Sequence, residues 1–318
     1  MTIISNNIDK AAEILQQGDL VAIPTETVYG LAGSIYSESA IRKIFEVKQR
    51  PLFNPLIVHL YSVEQVSEIA SHIPEKAMLL AEAFWPGSLT LVLPKKDIIP
   101  DLITAGKDTV AMRIPNHPVT QELLKKLPFP LAAPSANPFN RISPTSAKHV
   151  ESYFKDSIKM VLDGGECKKG LESTIIGFEG DEPVLYRLGS ISKEEIEEVV
   201  GEVQVKNKKE SAPNAPGMLE KHYAPRTKTI LVDSVDEINI STKGKRVGLL
   251  SLTQVDNSVS YIHVEILSES GDMDEAAANL YKALHKLDSH DLDIIIAIRL
   301  PDKGLGRSIN DRLERAAK

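Results

Sequence analysis

Two cations separated by one residue follow a predicted helix and have the composition of a phosphate-binding turn. Lys48 and Arg50 precede Pro51, and Asn54-Pro55 leads into the next apolar run. Arginine binds phosphate oxygens through a planar fork and lysine binds them as a point charge, so this turn could hold a phosphate chain. The same cations could instead complement the negative end of the helix dipole, and the turn taken alone favours that second interpretation.

Hydroxyl and amide side chains follow two predicted strands. Thr25 and Thr27 come directly after an apolar run, and Ser135 and Asn137 follow another. Polar groups at strand ends are well placed to hold a ligand, although threonines that bond only to their own turn explain the first segment equally well. Ser135 and Asn137 are two residues apart, so in an extended segment they point to the same side.

His59 and Arg113 stand inside apolar strands. An unpaired buried charge is very costly, so Arg113 needs a partner, which could be a carboxylate ligand or an internal glutamate. A lone histidine in an apolar strand is more often a structural residue than a base. Together with the loops at Asp163-Gly164-Gly165 and Glu172-Ser173-Thr174, these segments predict a cleft for a polyanion and a small polar molecule.

The elements that must position these residues alternate between apolar runs and helical patterns, which predicts an α/β protein. Over residues 1–200 the pattern is too irregular for regular βαβ units and favours a mixed, twisted sheet with helices. Strands are predicted at 20–23, 56–60, 89–93, 110–114, 131–133, 160–162, 173–176 and 184–187. Helices are predicted at 9–17, after Ser37, and at 64–70, 75–84, 118–126 and 193–200.

The chain changes character after residue 200. Residues 201–228 contain several prolines and predict a linker, and the linker is a candidate lid over the cleft. Residues 229–318 predict a small three-layer, Rossmann-like α/β domain, with strands at 230–232, 246–250, 262–267 and 294–298 and helices at 274–287 and 308–317. No constellation of catalytic residues stands out in this domain, so we expect it to be regulatory or to support the lid.

Composition excludes several classes of protein. The 318 residues are 42% hydrophobic and 25% charged, with a net charge of −7, which is typical of a soluble globular chain rather than a basic nucleic-acid platform. Cys167 is the only cysteine, so a disulfide framework and a multi-cysteine zinc site are excluded. The N-terminus lacks a signal-peptide pattern, and the apolar run 294–298 is too short to span a membrane. We expect a cytoplasmic protein without membrane contacts.

Six motifs in order resemble the YrdC-like family over residues 5–200. They are Pro24-Thr25-Glu26-Thr27-Val28-Tyr29-Gly30-Leu31, Lys48-x-Arg50-Pro51, Asn54-Pro55-Leu56-Ile57-Val58-His59, Trp85-Pro86-Gly87, Ala133-Pro134-Ser135-Ala136-Asn137 and Glu172-Ser173-Thr174-Ile175. Ala215-Pro216-Gly217-Met218, His222-Tyr223-Ala224-Pro225 and the C-terminal domain resemble the longer, two-domain members. Those proteins are L-threonylcarbamoyladenylate synthases.

The resemblance implies roles for individual residues. It implies L-threonine contacts at Thr25, His59, Arg113, Ala133 and Ser173, with Arg113 paired to the threonine carboxylate. It implies ATP contacts at Arg50, Asn54, Thr109, Ser135, Asn137, Ser143, Arg187 and Arg226, the last standing where relatives can have an asparagine. Lys48 and Arg50 are the implied catalytic residues.

The implied reaction joins L-threonine, bicarbonate and ATP into threonylcarbamoyl-AMP and pyrophosphate. The implied cofactor is Mg²⁺, entering with ATP, and no residues for a protein-held metal site are assigned. A downstream transferase would use the product for N6-threonylcarbamoyladenosine at position 37 of ANN-decoding tRNAs. Two alternatives differ in kind: a non-enzymatic double-stranded RNA or tRNA-binding module, for which weak RNA binding would be the sign, and a hydrogenase-maturation carbamoyltransferase, which the single cysteine disfavours.

Overall fold

A computed structural model of the chain describes residues 2–206, 222–234, 237, 244–255 and 261–318. Over these residues the chain forms an eleven-stranded mixed sheet and a four-stranded parallel sheet, each covered by helices. The mixed sheet confirms the fold class predicted for the first 200 residues. No helix in the described ranges is both long and apolar enough to cross a membrane.

The large sheet has the order β1-β8-β2-β3-β7-β4-β6-β5-β9-β10-β11 and mixes parallel with antiparallel pairs. Its strands are β1 (Ile3–Ser5), β2 (Val21–Ile23), β3 (Gly30–Ser34), β4 (Ile57–His59), β5 (Leu89–Pro94), β6 (Thr109–Arg113), β7 (Leu131–Ala132), β8 (Met160–Leu162), β9 (Thr174–Glu179), β10 (Glu182–Arg187) and β11 (Gln204–Val205). The sequence pattern did not predict β1, β3 or β11. In β3 the residues are Gly, Leu, Ala, Gly and Ser, so the strand lacks the β-branched residues that signal a strand, yet all five are buried.

The helices beside this sheet are α1 (Ile8–Gln16), α2 (Glu38–Lys48), α3 (Val66–Ile69), α4 (Glu75–Phe84), α5 (Asp101–Thr104), α6 (Pro118–Lys126), α7 (Ala147–Phe154) and α8 (Lys193–Val200). The predicted cap of α2 is confirmed, since the Ser37 side chain accepts a hydrogen bond from the backbone N–H of Ala40. At the other end Gln49 has a left-handed backbone with φ 53°. This turn ends the helix and places Lys48 and Arg50 on the two sides of the bend.

The small sheet has the order β12-β15-β13-β14, and all its neighbouring strands are parallel. Its elements are β12 (Thr229–Val232), β13 (Val247–Ser251), β14 (His263–Ile266), α9 (Met273–Ser289), β15 (Ile294–Ile298) and α10 (Leu305–Ala316). Helices α9 and α10 pack on each other and on one face of this sheet, through Leu250, Ile295 and Ala297. The predicted third layer, on the other face of the small sheet, stays a prediction, because α9 and α10 both cover the same face.

One apolar cluster joins the two parts of the chain. Val28, Ile142 and Leu171 of the first part pack with residues of α9 and α10 in the same buried cluster, which also contains Tyr223. Burial of apolar area in such a cluster is a strong force for association. Loops of the first part and helices of the C-terminal part therefore share an apolar interface. Of the predicted linker, residues 207–221 lie outside the described residues.

Candidate functional site

A cleft of about 580 Å³, including its open mouth, lies at the polar strand ends of the large sheet, next to the segment of His222 and Tyr223. The residues that line it come from separate segments of the chain. They are Thr25, Thr27, Val28, Gly30, Arg50, Ile57, His59, Arg113, Ala133, Pro134, Ser135, Glu172, Ser173, Arg187, His222 and Tyr223. Eight of the residues with implied substrate contacts are therefore in the cleft wall: Thr25, Arg50, His59, Arg113, Ala133, Ser135, Ser173 and Arg187.

Lys48 and Asn137 lie directly behind this wall. The Nζ of Lys48 donates to the backbone oxygens of Ser135 and Asn137, each at 2.5 Å. Burial and the neighbouring Arg50 charge lower the pKa of Lys48 well below its ordinary value. The lysine thus fixes the loop that carries two predicted ATP contacts, and the amide oxygen Oδ1 of Asn137 in that loop has no hydrogen-bond partner among the described residues.

Arg50 is clamped to the loop that follows it, with Asn54 buried behind it. Its guanidinium donates to the backbone oxygen of Asn54 at 3.1 Å, to Asn54 Oδ1 at 2.7 Å and to the backbone oxygen of Pro55 at 2.8 Å. Burial and the charge of Arg187 lower the pKa of Arg50 to about 9, so Arg50 remains charged at pH 7. In the described residues no carboxylate lies within ion-pair distance of Lys48 or Arg50, whereas Asn54 Nδ2 is buried without a partner. This side of the cleft is suited to an anion.

On the other side of the cleft, the polar side chains of Thr25 and His59 are hydrogen-bonded to nearby backbone groups. Thr25 Oγ1 accepts from the backbone N–H groups of Thr27 and Val28 and donates to the backbone oxygen of Val28 at 2.7 Å, so the threonine does stabilise its own turn. Burial and the charge of Arg113 lower the pKa of His59 to about 3, so its imidazole is neutral at pH 7. His59 Nδ1 lies 3.2 Å from the backbone oxygen of Ile57. Because a carbonyl only accepts, Nδ1 carries the proton, and Nε2 is left as an acceptor.

The partner of the Arg113 charge is internal. Its guanidinium contacts Glu26 Oε1 at 2.6 Å, Thr27 Oγ1 at 2.8 Å and the backbone oxygen of Gly87 at 3.0 Å. Of the two partners left open by the sequence, the internal glutamate is therefore present, and it is Glu26. Arg113 still lines the cleft, so a contact with the ligand stays a prediction.

Three further residues assigned to ATP do not line the cleft. Thr109 and Arg113 lie at opposite ends of β6, roughly 13 Å apart at the rise of a strand. Arg226 is exposed and does not belong to the cleft wall. Ser143 is completely buried and donates to Glu172 Oε1 at 2.6 Å, so it reaches the cleft through that carboxylate.

The motif analysis gave no role to several residues that the structure brings to the cleft. Glu172 accepts hydrogen bonds from Ser143, from Tyr281 of α9 and from Arg312 of α10. His222 and Tyr223 close one wall, with His222 Nδ1 and the Tyr223 hydroxyl buried and unpartnered in the described part of the chain. The sequence does indicate that Arg312 is buried, because it falls on the apolar face of its helix with Ile309 and Leu313.

A protein-held metal site does not fit the residues of this cleft. Within the described ranges no group of three or more His, Cys, Asp or Glu side chains could hold an ion. The two carboxylates at the cleft, Glu26 and Glu172, are each paired with an arginine, at 2.6 Å to Arg113 and 2.8 Å to Arg312. The groups at this site that can bind a ligand are therefore cations and amides rather than free carboxylates.

Comparison with known proteins covers the whole chain. A family model described as telomere recombination matches residues 13–189, and one described as the C-terminal domain of threonylcarbamoyl-AMP synthase matches residues 191–318. The threonylcarbamoyl-AMP synthase of Pyrococcus abyssi is 42% identical, with 100% of this chain and 98% of that protein covered. The chain belongs to the threonylcarbamoyl-AMP synthase family.

Other members of the family differ in length. The threonylcarbamoyl-AMP synthase of Bacillus subtilis is 39% identical over 98% of this chain and 92% of its own. A family member from Mycobacterium tuberculosis is 33% identical and matches 62% of this chain with 90% of its own length. A crystal structure of P. abyssi Sua5 complexed with L-threonine superimposes with a TM-score of 0.92 and 41% identity, covering 99% of this chain and 98% of that one. The threonylcarbamoyl-AMP synthase family therefore includes proteins with and without a counterpart of the C-terminal part.

Proposed function

We propose that this chain is the enzyme that converts L-threonine, bicarbonate and ATP into threonylcarbamoyl-AMP and pyrophosphate. The observation that carries the proposal is the two-sided cleft of a threonylcarbamoyl-AMP synthase family member. Arg50, with Lys48 and the unpartnered Asn54 amide directly behind it, forms a cationic side, and Thr25, His59 and Ser173 lie on a small polar side. A triphosphate fits the first side, and an amino acid fits the second.

The reaction begins with carbamate formation on the amine of threonine. The carbon of bicarbonate bonds to the amine nitrogen, its bond to the hydroxyl oxygen breaks, and that hydroxyl leaves as water with a proton from the amine, which gives N-carboxy-threonine. The new carboxylate then attacks the α-phosphorus of ATP, the bond from that phosphorus to the oxygen that bridges it to the β-phosphate breaks, and pyrophosphate leaves. No covalent intermediate on the enzyme is needed, so the work of the chain is to align the reactants and to stabilise developing charge.

Each side of the cleft has a separate task in this reaction. Arg50 stays charged and is held in place by Asn54 and Pro55, so it is a preorganised donor for phosphate oxygens. Lys48 keeps the loop with Ser135 and Asn137 in position. Neutral His59 presents Nε2 as an acceptor for the amine or hydroxyl of threonine. His222 and Tyr223 limit the access of water, which would hydrolyse the carbamate.

Mg²⁺ enters as part of the ATP substrate. Because the cleft carboxylates are paired with arginines, the ion would be coordinated by phosphate oxygens and water rather than by a dedicated protein site. The product is an activated adenylate, and a separate transferase that acts on tRNA would consume it for N6-threonylcarbamoyladenosine at position 37.

The test is pyrophosphate release from ATP, with L-threonine, bicarbonate and Mg²⁺ omitted one at a time. We expect release to require both threonine and bicarbonate. Release with threonine alone in carbon-dioxide-free buffer would identify ordinary amino-acid activation instead. No release from protein shown to be folded would contradict the proposal and favour the RNA-binding alternative, which a steep loss of RNA affinity with added salt would then support.

A further inference from the structure

A side chain from the C-terminal part is buried behind the wall of the catalytic cleft. Arg312 of α10 is completely buried, and its guanidinium donates to Glu172 Oε2 at 2.8 Å and to the backbone oxygen of Leu188 at 2.6 Å. The guanidinium carbon also lies 4.8 Å from the centre of the Tyr223 ring. One arginine thus contacts three separate segments that surround the cleft.

Glu172 is the centre of this arrangement. Oε2 accepts from Arg312 and from the hydroxyl of Tyr281 at 2.9 Å, while Oε1 accepts from the Ser143 hydroxyl at 2.6 Å. Two of the three donors come from the C-terminal part, and the third is a predicted ATP contact. The next residue along the chain is Ser173, whose hydroxyl is hydrogen-bonded to Arg187 at 3.0 Å and to Thr90 at 2.7 Å.

The charge of Glu172 matters because the residue lines a cleft suited to a polyanion. An ionised carboxylate near ATP repels phosphate oxygens, and in a poorly hydrated site this repulsion is strong. Arg312 compensates this charge from behind the cleft wall, since it belongs to α10 and has no exposed surface. Arg312 also pairs with Asp311 at 2.5 Å, and Asp311 is paired in turn with Arg315 at 2.9 Å. Burial alone would raise the pKa of Glu172, but Arg312, Arg187 and the Ser143 hydroxyl hold that pKa below its ordinary value.

The backbone segments beside the Glu172–Arg312 ion pair are packed closely against each other. A Cβ at Gly170 would lie 2.5 Å from Ala278 Cα in α9, so the two backbones are in direct contact there. Ser308, one turn before Arg312, donates to the backbone oxygen of Gly189 at 2.8 Å. Both ends of the catalytic segment 170–189 are thereby fixed against the C-terminal helices.

We infer that Arg312 and Tyr281 are positioning residues for catalysis: both hold the Glu172 carboxylate in the cleft wall, Arg312 balances its charge beside the ATP phosphates, and the fixed carboxylate keeps its neighbour Ser173 facing the substrates. The C-terminal part is then a component of the active site. This inference rests on the proposed function, and it goes beyond it by assigning a catalytic duty to α9 and α10.

The test uses the full chain and compares Arg312→Met, Glu172→Gln, the Glu172→Gln/Arg312→Met double variant, Tyr281→Phe and the control Arg307→Met. Arg307 lies on the same helix and forms an exposed ion pair with Glu194 of the catalytic part, at 2.9 Å. For each protein the KM for ATP, kcat and the affinity for ATP in a direct titration are measured under conditions where circular dichroism shows a folded chain.

We expect Arg312→Met to raise the KM and the dissociation constant for ATP at least about tenfold, because a buried carboxylate loses its ion-pair partner. The double variant should recover most of this loss, since the glutamine that replaces Glu172 is neutral and its amide oxygen still accepts from Ser143. Tyr281→Phe removes one hydroxyl and should raise the KM for ATP about threefold. Arg307→Met should leave the KM and the affinity for ATP unchanged.

A merely structural anchor would give a different pattern. Arg312→Met would then lower the melting temperature and the active fraction with an unchanged KM for ATP, and Glu172→Gln would restore nothing; either result overturns the inference. If Arg312→Met does not fold, an unchanged ATP affinity in folded Tyr281→Phe overturns it. Absence of pyrophosphate release from the unaltered chain would contradict the proposed function instead, and the ATP titrations would still decide the inference.

Discussion

The buried charges of the cleft divide into compensated and uncompensated groups. Glu26 is paired with Arg113 and Glu172 with Arg312, which leaves Lys48 and Arg50 bonded to carbonyl and amide oxygens rather than to carboxylates in the described residues. Opposite charges that are already paired attract a ligand weakly, whereas a preorganised cation without a carboxylate partner attracts it strongly. We therefore expect Arg50, which lines the cleft, to bind phosphate, while Lys48 holds the neighbouring loop from behind the wall.

Replacement of Arg50 by alanine should therefore lower kcat for pyrophosphate release by about 10²-fold, the size expected when one preorganised charge-stabilising donor is lost. Arg42→Ala is the matched control, because Arg42 lies on α2 with an exposed side chain paired to Glu38. An Arg50→Ala enzyme with unchanged kcat would show that the cation only supports the loop of Asn54.

Sequence reasoning located residues of the cleft better than it located their partners. The motif spacing placed Arg50, His59 and Ser173 in one site, and all three line the cleft. The carboxylate partner of Arg113 was left open between a ligand and an internal glutamate, because hydrophobic patterning does not show which strand end lies opposite a given side chain. Only the fold brings Glu26 to within 2.6 Å of that arginine.

At the scale of elements, the contact between α9 and the segment before Glu172 is unusually close. Gly170 has φ +67°, and an added Cβ would meet the α9 backbone at Ala278. Gly180 has a similar φ of +60°, but nothing lies within 4 Å of its Cβ position in the described part of the chain. Alanine substitutions at the two glycines therefore distinguish two contributions to the free energy of unfolding. Both variants place alanine in a left-handed backbone, but only the Gly170 variant also creates a steric clash.

We expect Gly170→Ala to lower the free energy of unfolding by about 1–3 kcal/mol more than Gly180→Ala does, since overpacking costs about that much. Chemical denaturation of both variants measures the difference. Equal losses would mean that α9 can move away from residue 170 at no cost, and the interface would then be looser than the described contacts indicate.

Two stacked histidines connect α7 to α9. The rings of His149 and His285 have centroids 3.9 Å apart and an interplanar angle of 22°. Burial lowers the pKa of His149 to about 4, and burial together with the charge of His149 lowers the pKa of His285 to about 3. The unfolded chain binds these protons near pH 6.5, well above the folded chain, so falling pH below 6.5 favours unfolding until the folded values are reached.

Replacement of His285 by phenylalanine should accordingly flatten the pH dependence of stability between about pH 6.5 and 4. The slope of the unfolding free energy should decrease by up to about 1.4 kcal/mol per pH unit, the value for one proton. Denaturation at several pH values measures both slopes, and the exposed His72→Gln variant is the control. Identical slopes for the His285→Phe protein and the unaltered chain would contradict this prediction.

Two helices with one apolar face were predicted with the observed bounds, whereas helix α7, which also has one, and the short helix α5 were missed. Helices α4 and α6 have the predicted bounds Glu75–Phe84 and Pro118–Lys126, because each shows one apolar face. Strand β3 is buried on both faces and built from small residues, so neither alternation nor β-branching marks it. The irregular order of the large sheet likewise follows from long-range pairing that local patterns do not encode.

For the whole molecule, the C-terminal part completes both the core and the cleft. Val28 and Leu171 are buried by the same cluster as Leu280 of α9, and Tyr223 and Arg312 stand in or behind the cleft wall. The sequence predicted a regulatory or lid-supporting domain, since it contains no catalytic constellation of its own. Its contribution to the cleft follows only from the contacts that its side chains make with the first part of the chain.

A chain that ends at Gly201 should lose at least about tenfold in kcat/KM for ATP, because Glu172 then loses its ion pair with Arg312 and the cleft loses His222 and Tyr223. Circular dichroism would first establish that the shortened chain is folded. Addition of Glu172→Gln to it should recover part of the loss. Full activity of the shortened chain would contradict both the lid hypothesis and the duty assigned to Arg312.

The ion pair between Glu172 and Arg312 also has a consequence for inheritance. If Arg312 positions Glu172, a change at Arg312 should be harmful alone and tolerable with a matching change at Glu172, so the two halves of the gene should constrain each other's mutations. Recombination that exchanges the C-terminal half between relatives would succeed only where the incoming helix supplies the matching charge. Chimeras that carry the C-terminal half of different relatives test this expectation. Their activity should be lost in steps that follow the residue each relative has at position 312.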